Sequence, residues 1–259
     1  MLSIDKICYN SNLRYSNTEQ KILYAVTTLF LCVASQLSIV ALVVLSINTY
    51  LIIEKSGMSF ARFLYYLKIP LVFLILSTLA MITNFAHTPM DAFAIPMHNM
   101  YITCSVEVLR FAGRLILTAL ASVTCLYFVS FTTPMTEILK VMQQWKVPSL
   151  FVELMMLMYR YIFILLEVAA NIGIAQRARL GNKDYKTSVR SFAQLVSILF
   201  IRAIKKSNQQ FDAIESRGYN GKLGVLNESN PPNHRVTMLI VMFEIVLIGL
   251  GIIVKMGVF

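Results

Sequence analysis

The stretch that decides the fold begins at Ile22 and ends at Ile53, and it reads ILYAVTTLFLCVASQLSIVALVVLSINTYLII. A helix crosses the hydrocarbon core of a bilayer in about 20 residues, so this run is too long for one upright span. Its middle carries a weakly polar interruption, ASQLS, from Ala34 to Ser38. The interruption predicts a hairpin of two short helices, and one tilted helix is the alternative.

Three further apolar runs follow, from Phe63 to Phe85, from Val106 to Phe131 and from Val236 to Val258. Apolar residues make up 57% of the chain and charged residues only 14%, which is outside the range of an ordinary soluble domain. The sequence therefore predicts an all-α integral membrane protein with about five transmembrane helices. The four cysteines show no CxxC spacing, so neither a disulfide framework nor a zinc site is predicted.

The lysines and arginines of the connecting loops indicate the orientation, because short cytoplasmic loops are enriched in these residues. The loop from Glu54 to Arg62 contains two of them, whereas the loop from His87 to Tyr101 contains none. The long connection from Thr132 to Arg235 contains fourteen of the 23 in the chain. We therefore expect the first loop, the long connection and the N-terminus to be cytoplasmic, and the second loop and the C-terminus to be external.

The long connection has the pattern of three amphipathic helices. Two long ones run from Phe151 to Leu180 and from about Thr187 to Arg217, and the first is too charged to span a bilayer and too apolar to stand free in water. Together with a short one from Thr133 to Gln144, they are expected to be cytoplasmic or to lie along the membrane interface. The predicted organisation is a membrane domain of about four spans at 1–131, a cytoplasmic domain of these helices at 132–232 and a last transmembrane helix at 233–259.

Each long helix ends in a short segment, here called an arginine cassette: AQRARLG from Ala175 to Gly181 and AIESRGY from Ala213 to Tyr219. An arginine at a helix C-terminus interacts favourably with the helix dipole. Its five donors also form a fixed fork that suits carboxylates and carbonyls on a partner surface. The residues alone leave two interpretations open. The arginines anchor a partner protein, or they cap their own helices and contact anionic lipid headgroups.

Seven short motifs follow one another along the chain. They are Ile4-Asp5 with Lys21, Ile69-Pro70 with Phe73, Thr132-Thr133-Pro134, Val147-Pro148, Tyr159-Arg160-Tyr161, Ala175 to Arg179, and Ser216 to Gly221. Taken in this order, they resemble the transmembrane T component of energy-coupling factor (ECF) transporters, in its cobalt-type CbiQ branch. No motif is strong alone, so the resemblance rests on their order, and it covers essentially the whole chain.

The resemblance implies a non-catalytic subunit of an importer in a bacterial or archaeal cell membrane. Two cytoplasmic ATPases, which bind the ATP and magnesium, would drive this chain, and the chain would drive a CbiM-like substrate-binding S component. A small accessory membrane subunit is a further implied partner, whereas no cofactor on this chain and no nucleic acid are implied. Cobalt is the expected substrate, and nickel or a vitamin is the alternative, since the S component selects it.

The same resemblance gives the arginine cassettes a docking role, because in the family two Ala-Arg-Gly-type motifs end the coupling helices and dock into grooves on the ATPases. By position, these motifs are Ala178-Arg179-Leu180 and Ser216-Arg217-Gly218. The first has Leu180 where glycine is usual, with Gly181 one place later, and the second has Ser216 in place of alanine. Both arginines are kept, so they are the expected anchors.

A polar cluster in the predicted external loop lies outside this scheme. It consists of His87, Met90, Asp91, Met97, His98 and Met100. Imidazole and carboxylate suit cobalt or nickel, but the spacing matches no tight ligand motif, and the resemblance implies that the metal site belongs to the S component. We therefore expect this loop to contact the S component or lipid.

Three charged residues, Glu107, Arg110 and Arg114, lie in the fourth span at spacings that allow them to share one helix face. Charges at membrane depth are costly unless they are paired or turned away from lipid. The sequence predicts a structural intramembrane pair of Glu107 with Arg110, rather than a place in a translocation path.

Other classes of function lack their signatures in this sequence. The spans contain no paired aspartates, no Ser/His or Ser/Lys dyad and no HExxH motif, and the chain has no Walker A loop. A channel or secondary transporter is expected to carry polar or broken helices at the bilayer midplane. These spans are mostly plain, which favours a coupling scaffold over that alternative.

Overall fold

A computed structural model describes residues 7–9, 11–14, 16–82, 84–86, 93–97, 100–104, 106–218 and 231–255. Its contacts divide the chain into two compact units. The membrane unit comprises Leu2–Ile138 and Ser229–Phe259, and the hairpin unit comprises Leu139–Glu228.

Helices dominate the described part of the chain. They are α1 (Thr18–Ser35), α2 (Ser38–Tyr50, continued by a π-helical turn at Leu51–Lys55), α3 (Phe60–Ile82), α4 (Val106–Thr132), α5 (Met135–Gln144), α6 (Ser149–Ala178), α7 (Tyr185–Glu215) and α8 (His234–Lys255). By length and composition, six of the described helices could cross a membrane: α2 with its π-helical turn, α3, α4, α6, α7 and α8. The prediction of an all-α integral membrane protein is confirmed. The expectation that α6 is too charged to span a bilayer is not, because its length and composition would allow it to cross. The interfacial position of α6 and α7 stays a prediction.

The long apolar run breaks into two helices inside its predicted interruption. Helix α1 ends at Ser35, Gln36 takes a left-handed conformation with φ of 50°, and α2 begins at Ser38. The Ser35 hydroxyl donates to the Cys32 carbonyl oxygen over 3.1 Å. The left-handed backbone of Gln36 ends the helix, because a right-handed helix cannot continue through that conformation. The alternative of one continuous helix is wrong.

Within the membrane unit, α4 packs against α1, α2 and α3, and α8 packs against α1. Two groups of apolar side chains fill these contacts. One contains Tyr24, Ala25, Ile52, Met58, Phe63, Leu67, Leu120, Phe128 and Phe131, and the other contains Cys32, Val40, Ala41, Val44, Ala121, Cys125 and Leu247. Helix α4 contributes to both groups and is therefore the central helix of this unit.

A buried polar network joins three helices of the membrane unit. The Tyr24 hydroxyl donates to Asn48 Oδ1 over 2.9 Å, and Asn48 Nδ2 donates to Cys125 Sγ over 3.1 Å. Asn48 is fully buried. Because both ends of its amide have partners, the burial of this polar side chain does not leave an unsatisfied group.

A small antiparallel sheet, which the sequence does not predict, lies in and beside the predicted external loop. Its strands are β1 (Asn84–Ala86), β2 (Phe93–Met97) and β3 (Met100–Cys104), in the order β1-β3-β2. In the polar cluster of this loop, Met97 and Met100 are register partners. The other members, His87, Met90, Asp91 and His98, lie outside the described residues. Among the described residues, no group of three His, Cys, Asp or Glu side chains could hold a metal ion.

In the hairpin unit, α6 and α7 pack against each other and are joined by six residues. Both begin and end within about two residues of the predicted bounds, the usual uncertainty of helix ends. Pro148 is the N-cap of α6 with φ of −49°. This φ is the value that the proline ring imposes, and it suits the start of a helix.

Candidate functional site

The first arginine cassette forms a complete helix-ending motif. Leu180 is left-handed with φ of 55°, and its N–H donates to the Arg177 carbonyl over 3.1 Å. The Gly181 N–H donates to the Gln176 carbonyl over 2.8 Å. These two bonds are those of a Schellman motif, in which the left-handed position is usually glycine. Leu180 therefore takes the backbone conformation that glycine usually takes in this motif, so the departure from the Ala-Arg-Gly pattern does not disrupt the helix end.

Gly181 is required in this motif for a different reason, which is close packing. A Cβ atom at Gly181 would lie 2.8 Å from both the Gln176 carbonyl oxygen and the Ser191 hydroxyl oxygen. Real Cβ atoms do not approach oxygen this closely, so any side chain here would push the helix end away from α7. The glycine one place later than expected thus has its own structural role.

Side chains tie the end of α6 to the first turns of α7. The Gln176 amide donates to the Ser191 carbonyl, and the Ser191 hydroxyl donates to the Gly181 carbonyl, each over 2.8 Å. Ser191 is buried. Together with the Schellman motif, these bonds fix the backbone on either side of Arg179.

The second arginine cassette ends α7 in a similar way. The Arg217 N–H donates to the Ile214 carbonyl over 3.1 Å, and the Gly218 N–H donates to the Glu215 carbonyl over 2.9 Å. Gly218 has φ of 74°, and a Cβ there would meet nothing within 4 Å. Glycine is therefore needed at this position for its backbone conformation and not for space.

The two cassettes share one geometry: each arginine is followed at once by a left-handed residue, Leu180 or Gly218. Arg179 and Arg217 are both exposed. Within the described parts of the chain, neither guanidinium has a hydrogen bond, an ion pair or a ring contact. Both forks are therefore available to carboxylates or carbonyls of another molecule.

The cassettes lie at opposite ends of α7. This helix has 31 residues, which at 1.5 Å per residue gives a length of about 46 Å. The structure therefore does not bring Arg179 and Arg217 together into one pocket. The two arginines instead lie at two separate points near the opposite ends of α7.

The predicted intramembrane pair occupies the first turns of α4, where Glu107 and Arg110 are both exposed. The Arg114 guanidinium lies over the Phe111 ring, 5.6 Å from its centroid. Whether Glu107 and Arg110 act as an ion pair stays a prediction.

Two polar contacts in the membrane unit are not predicted from the sequence. Thr27 donates a hydrogen bond to Glu244, an acidic residue in the otherwise apolar stretch of α8. Lys21 is buried, and its ammonium donates to the Thr132 carbonyl oxygen over 3.4 Å. An isolated ionisable residue in an apolar run is the signal that identifies Glu244. The Lys21 contact joins two of the seven motifs that lie 111 residues apart in sequence.

Comparisons with known proteins give one consistent result. The cobalt transport protein family, CbiQ, matches residues 10–226. The uncharacterized protein MJ1089 of Methanocaldococcus jannaschii is 31% identical over 252 residues, which span 97% of this chain and 93% of that protein.

Two relatives carry cobalt transport in their names. A protein of Methanocorpusculum labreanum, named as a fused cobalt transport protein CbiMQ, is 30% identical over 95% of this chain and 41% of its own length. The cobalt transport protein CbiQ of Rhodobacter capsulatus is 32% identical over 55% of this chain and 58% of its own length. With its apolar helices and a family match over most of its length, the chain is a multi-pass membrane protein that belongs to the CbiQ cobalt transport protein family.

Proposed function

We infer that this chain is the transmembrane coupling subunit of an ECF-type importer for cobalt, and that it docks onto two cytoplasmic ATPases through Arg179 and Arg217. The observation that carries this proposal is the pair of exposed guanidinium groups, each held in the same helix-ending geometry. A capping arginine would bond to the carbonyls of its own helix. These carbonyls instead accept from backbone N–H groups, which leaves the arginines to a partner.

The spacing of the arginines supports two docking points. A separation of about 46 Å along α7 is too large for one small binding groove, whereas it suits two copies of an ATPase that each take one cassette. Closure of such a pair would then act on both ends of the same helix. In this mechanism the chain transmits motion, and the ATP and magnesium belong to its partners.

A membrane S component is the proposed recipient of that motion. The fusion named CbiMQ supports a CbiM-like partner, because a fused pair is held at high effective concentration. A small accessory membrane subunit belongs to the same proposal. In this orientation the N-terminus and the long connection are cytoplasmic and the C-terminus is external, as the distribution of lysine and arginine indicates.

The experiment is co-purification of the whole complex with Arg179→Glu, Arg217→Glu and the double variant, followed by cobalt uptake in vesicles. Reversal of a buried interface charge is expected to cost about 2 kcal/mol or more, so each single variant should lose most of its bound ATPase. Arg190→Glu is the matched control, since Arg190 is exposed on α7 but not at a helix end.

The outcomes separate docking from substrate choice. ATPase retention and uptake at wild-type levels in the double variant would overturn the docking role. Uptake of nickel in place of cobalt by the intact complex would leave docking unchanged and correct the substrate.

A further inference from the structure

A crevice of about 420 Å³ opens between α6 and α7, and none of its lining residues belongs to an arginine cassette. It is lined by Tyr161, Ile164, Leu165 and Val168 of α6 and by Arg202, Ala203, Lys205, Lys206, Ser207 and Gln209 of α7. Its volume is in the range of pockets that bind small molecules. All of these residues belong to the hairpin unit, so the crevice is a property of this unit alone.

One wall of the crevice is strongly basic. Arg202, Lys205 and Lys206 are separated by three and four residues, which places them on one face of α7, and all three are exposed. Among the described residues, no aspartate or glutamate lines the crevice. The wall therefore attracts an anion, and three cations together suit a phosphate group.

The other wall is apolar and contains one unsatisfied polar atom. Ile164, Leu165 and Val168 are half-buried. The Tyr161 hydroxyl is buried and has no hydrogen-bond partner among the described residues. Such an orphan is costly. Because Tyr161 lines the crevice, a turn of its ring toward the opening would let a ligand oxygen satisfy the hydroxyl. An inorganic anion would gain nothing from the apolar wall, whereas an acyl chain would.

We propose that this crevice binds one anionic phospholipid, with its phosphate on Arg202, Lys205 and Lys206 and the start of an acyl chain on the apolar wall. The membrane interface would supply this ligand, because α6 and α7 are predicted to lie along it and are apolar enough by composition to enter a membrane. The apolar surface also continues beyond the crevice, since Ile162 and Leu166 of α6 are each 48% exposed. This lipid site does not depend on ATPase docking.

The test is native mass spectrometry of the full chain in detergent with phosphatidylglycerol, phosphatidylcholine or inorganic phosphate as the probe. Wild type is expected to retain one phosphatidylglycerol and to prefer it over phosphatidylcholine. Replacement of Arg202, Lys205 and Lys206 by glutamine should weaken binding by about tenfold or more, since each cation contributes to attraction of an anionic headgroup. Glutamine at Lys183, Lys186 and Arg190 removes the same charge from exposed positions outside the crevice and should not weaken it.

Two further variants keep the test decisive if the triple variant folds poorly. Arginine at Lys205 and Lys206 should preserve binding, and Tyr161→Phe should weaken it without change of charge. Equal retention of phosphatidylcholine, or equal loss in the control variant, would overturn the site as a specific one. Displacement of the lipid by millimolar phosphate would show a free-anion site, and binding of an acidic partner peptide with no lipid would assign the crevice to a protein.

Discussion

Leu180→Gly is expected to stabilise the junction of α6 and α7, although it removes a large side chain. Leu180 is left-handed with φ of 55°, a conformation that costs an L-residue about 1–2 kcal/mol. It is 69% exposed, so its removal loses little apolar contact. Glycine brings a counter-cost of about 0.4–1 kcal/mol through greater freedom of the unfolded chain. The difference leaves a net stabilisation of about 0.7 kcal/mol.

Hydrogen exchange of the full chain in detergent measures this effect locally, at the amides of residues 180 and 181, which close the Schellman motif. A stabilisation of about 0.7 kcal/mol slows their exchange by about threefold after correction for sequence, because 1.4 kcal/mol corresponds to tenfold. Amides in the middle of α4 belong to the membrane unit and act as the internal reference. Unchanged or faster exchange at residue 181 would refute the strain at Leu180 and the reasoning built on it.

Three other substitutions test the same structure. Gly181→Ala should destabilise the junction by about 1–3 kcal/mol, because the added Cβ would make two contacts of 2.8 Å, and local hydrogen exchange should become faster. Gly173→Ala is the control, since this glycine of α6 has open space around it. Equally fast exchange in both variants would contradict the packing role of Gly181. Gly218→Ala should cost about 1–2 kcal/mol through its left-handed backbone, seen as faster exchange at the end of α7, and no change there would contradict that role. Asn48→Leu should lower the thermal midpoint of unfolding, because it leaves the buried Tyr24 hydroxyl unsatisfied at a cost of about 1–3 kcal/mol. The double variant with Tyr24→Phe should regain part of that stability. Additive losses of stability in the double variant would argue against the hydrogen bond between Tyr24 and Asn48.

The features that sequence predicts here are those that depend on neighbouring residues. The ASQLS interruption marks the end of α1, and Gly218 marks the end of α7, because both act through local backbone preferences. The small sheet escapes prediction in part because β1 pairs with β3, which lies 15 to 19 residues further along the chain. The left-handed Leu180 escapes it too, because leucine rarely takes that conformation and Gly181 is required only through its contact with Ser191. The bond of Asn48 to Cys125 likewise depends on two helices meeting 77 residues apart.

The hairpin unit has the form of a lever, and this form connects the lipid crevice with the arginine cassettes. Its fixed end is at Gly181 and Ser191, where hydrogen bonds tie α6 to α7. Arg202 lies about 16 Å along α7 from Ser191, and the end of the helix lies about 36 Å from Ser191. In a stiff helix fixed at Ser191, a change in the spacing of α6 and α7 at the crevice is therefore magnified about 2.2-fold near Arg217. Arg179 lies at the fixed end and moves little. A lipid in the crevice would thus change the direction in which the end of α7 points from the fixed end, and with it the position of Arg217 relative to Arg179. Lipid binding would then be a means of adjusting how the chain fits the proposed ATPases.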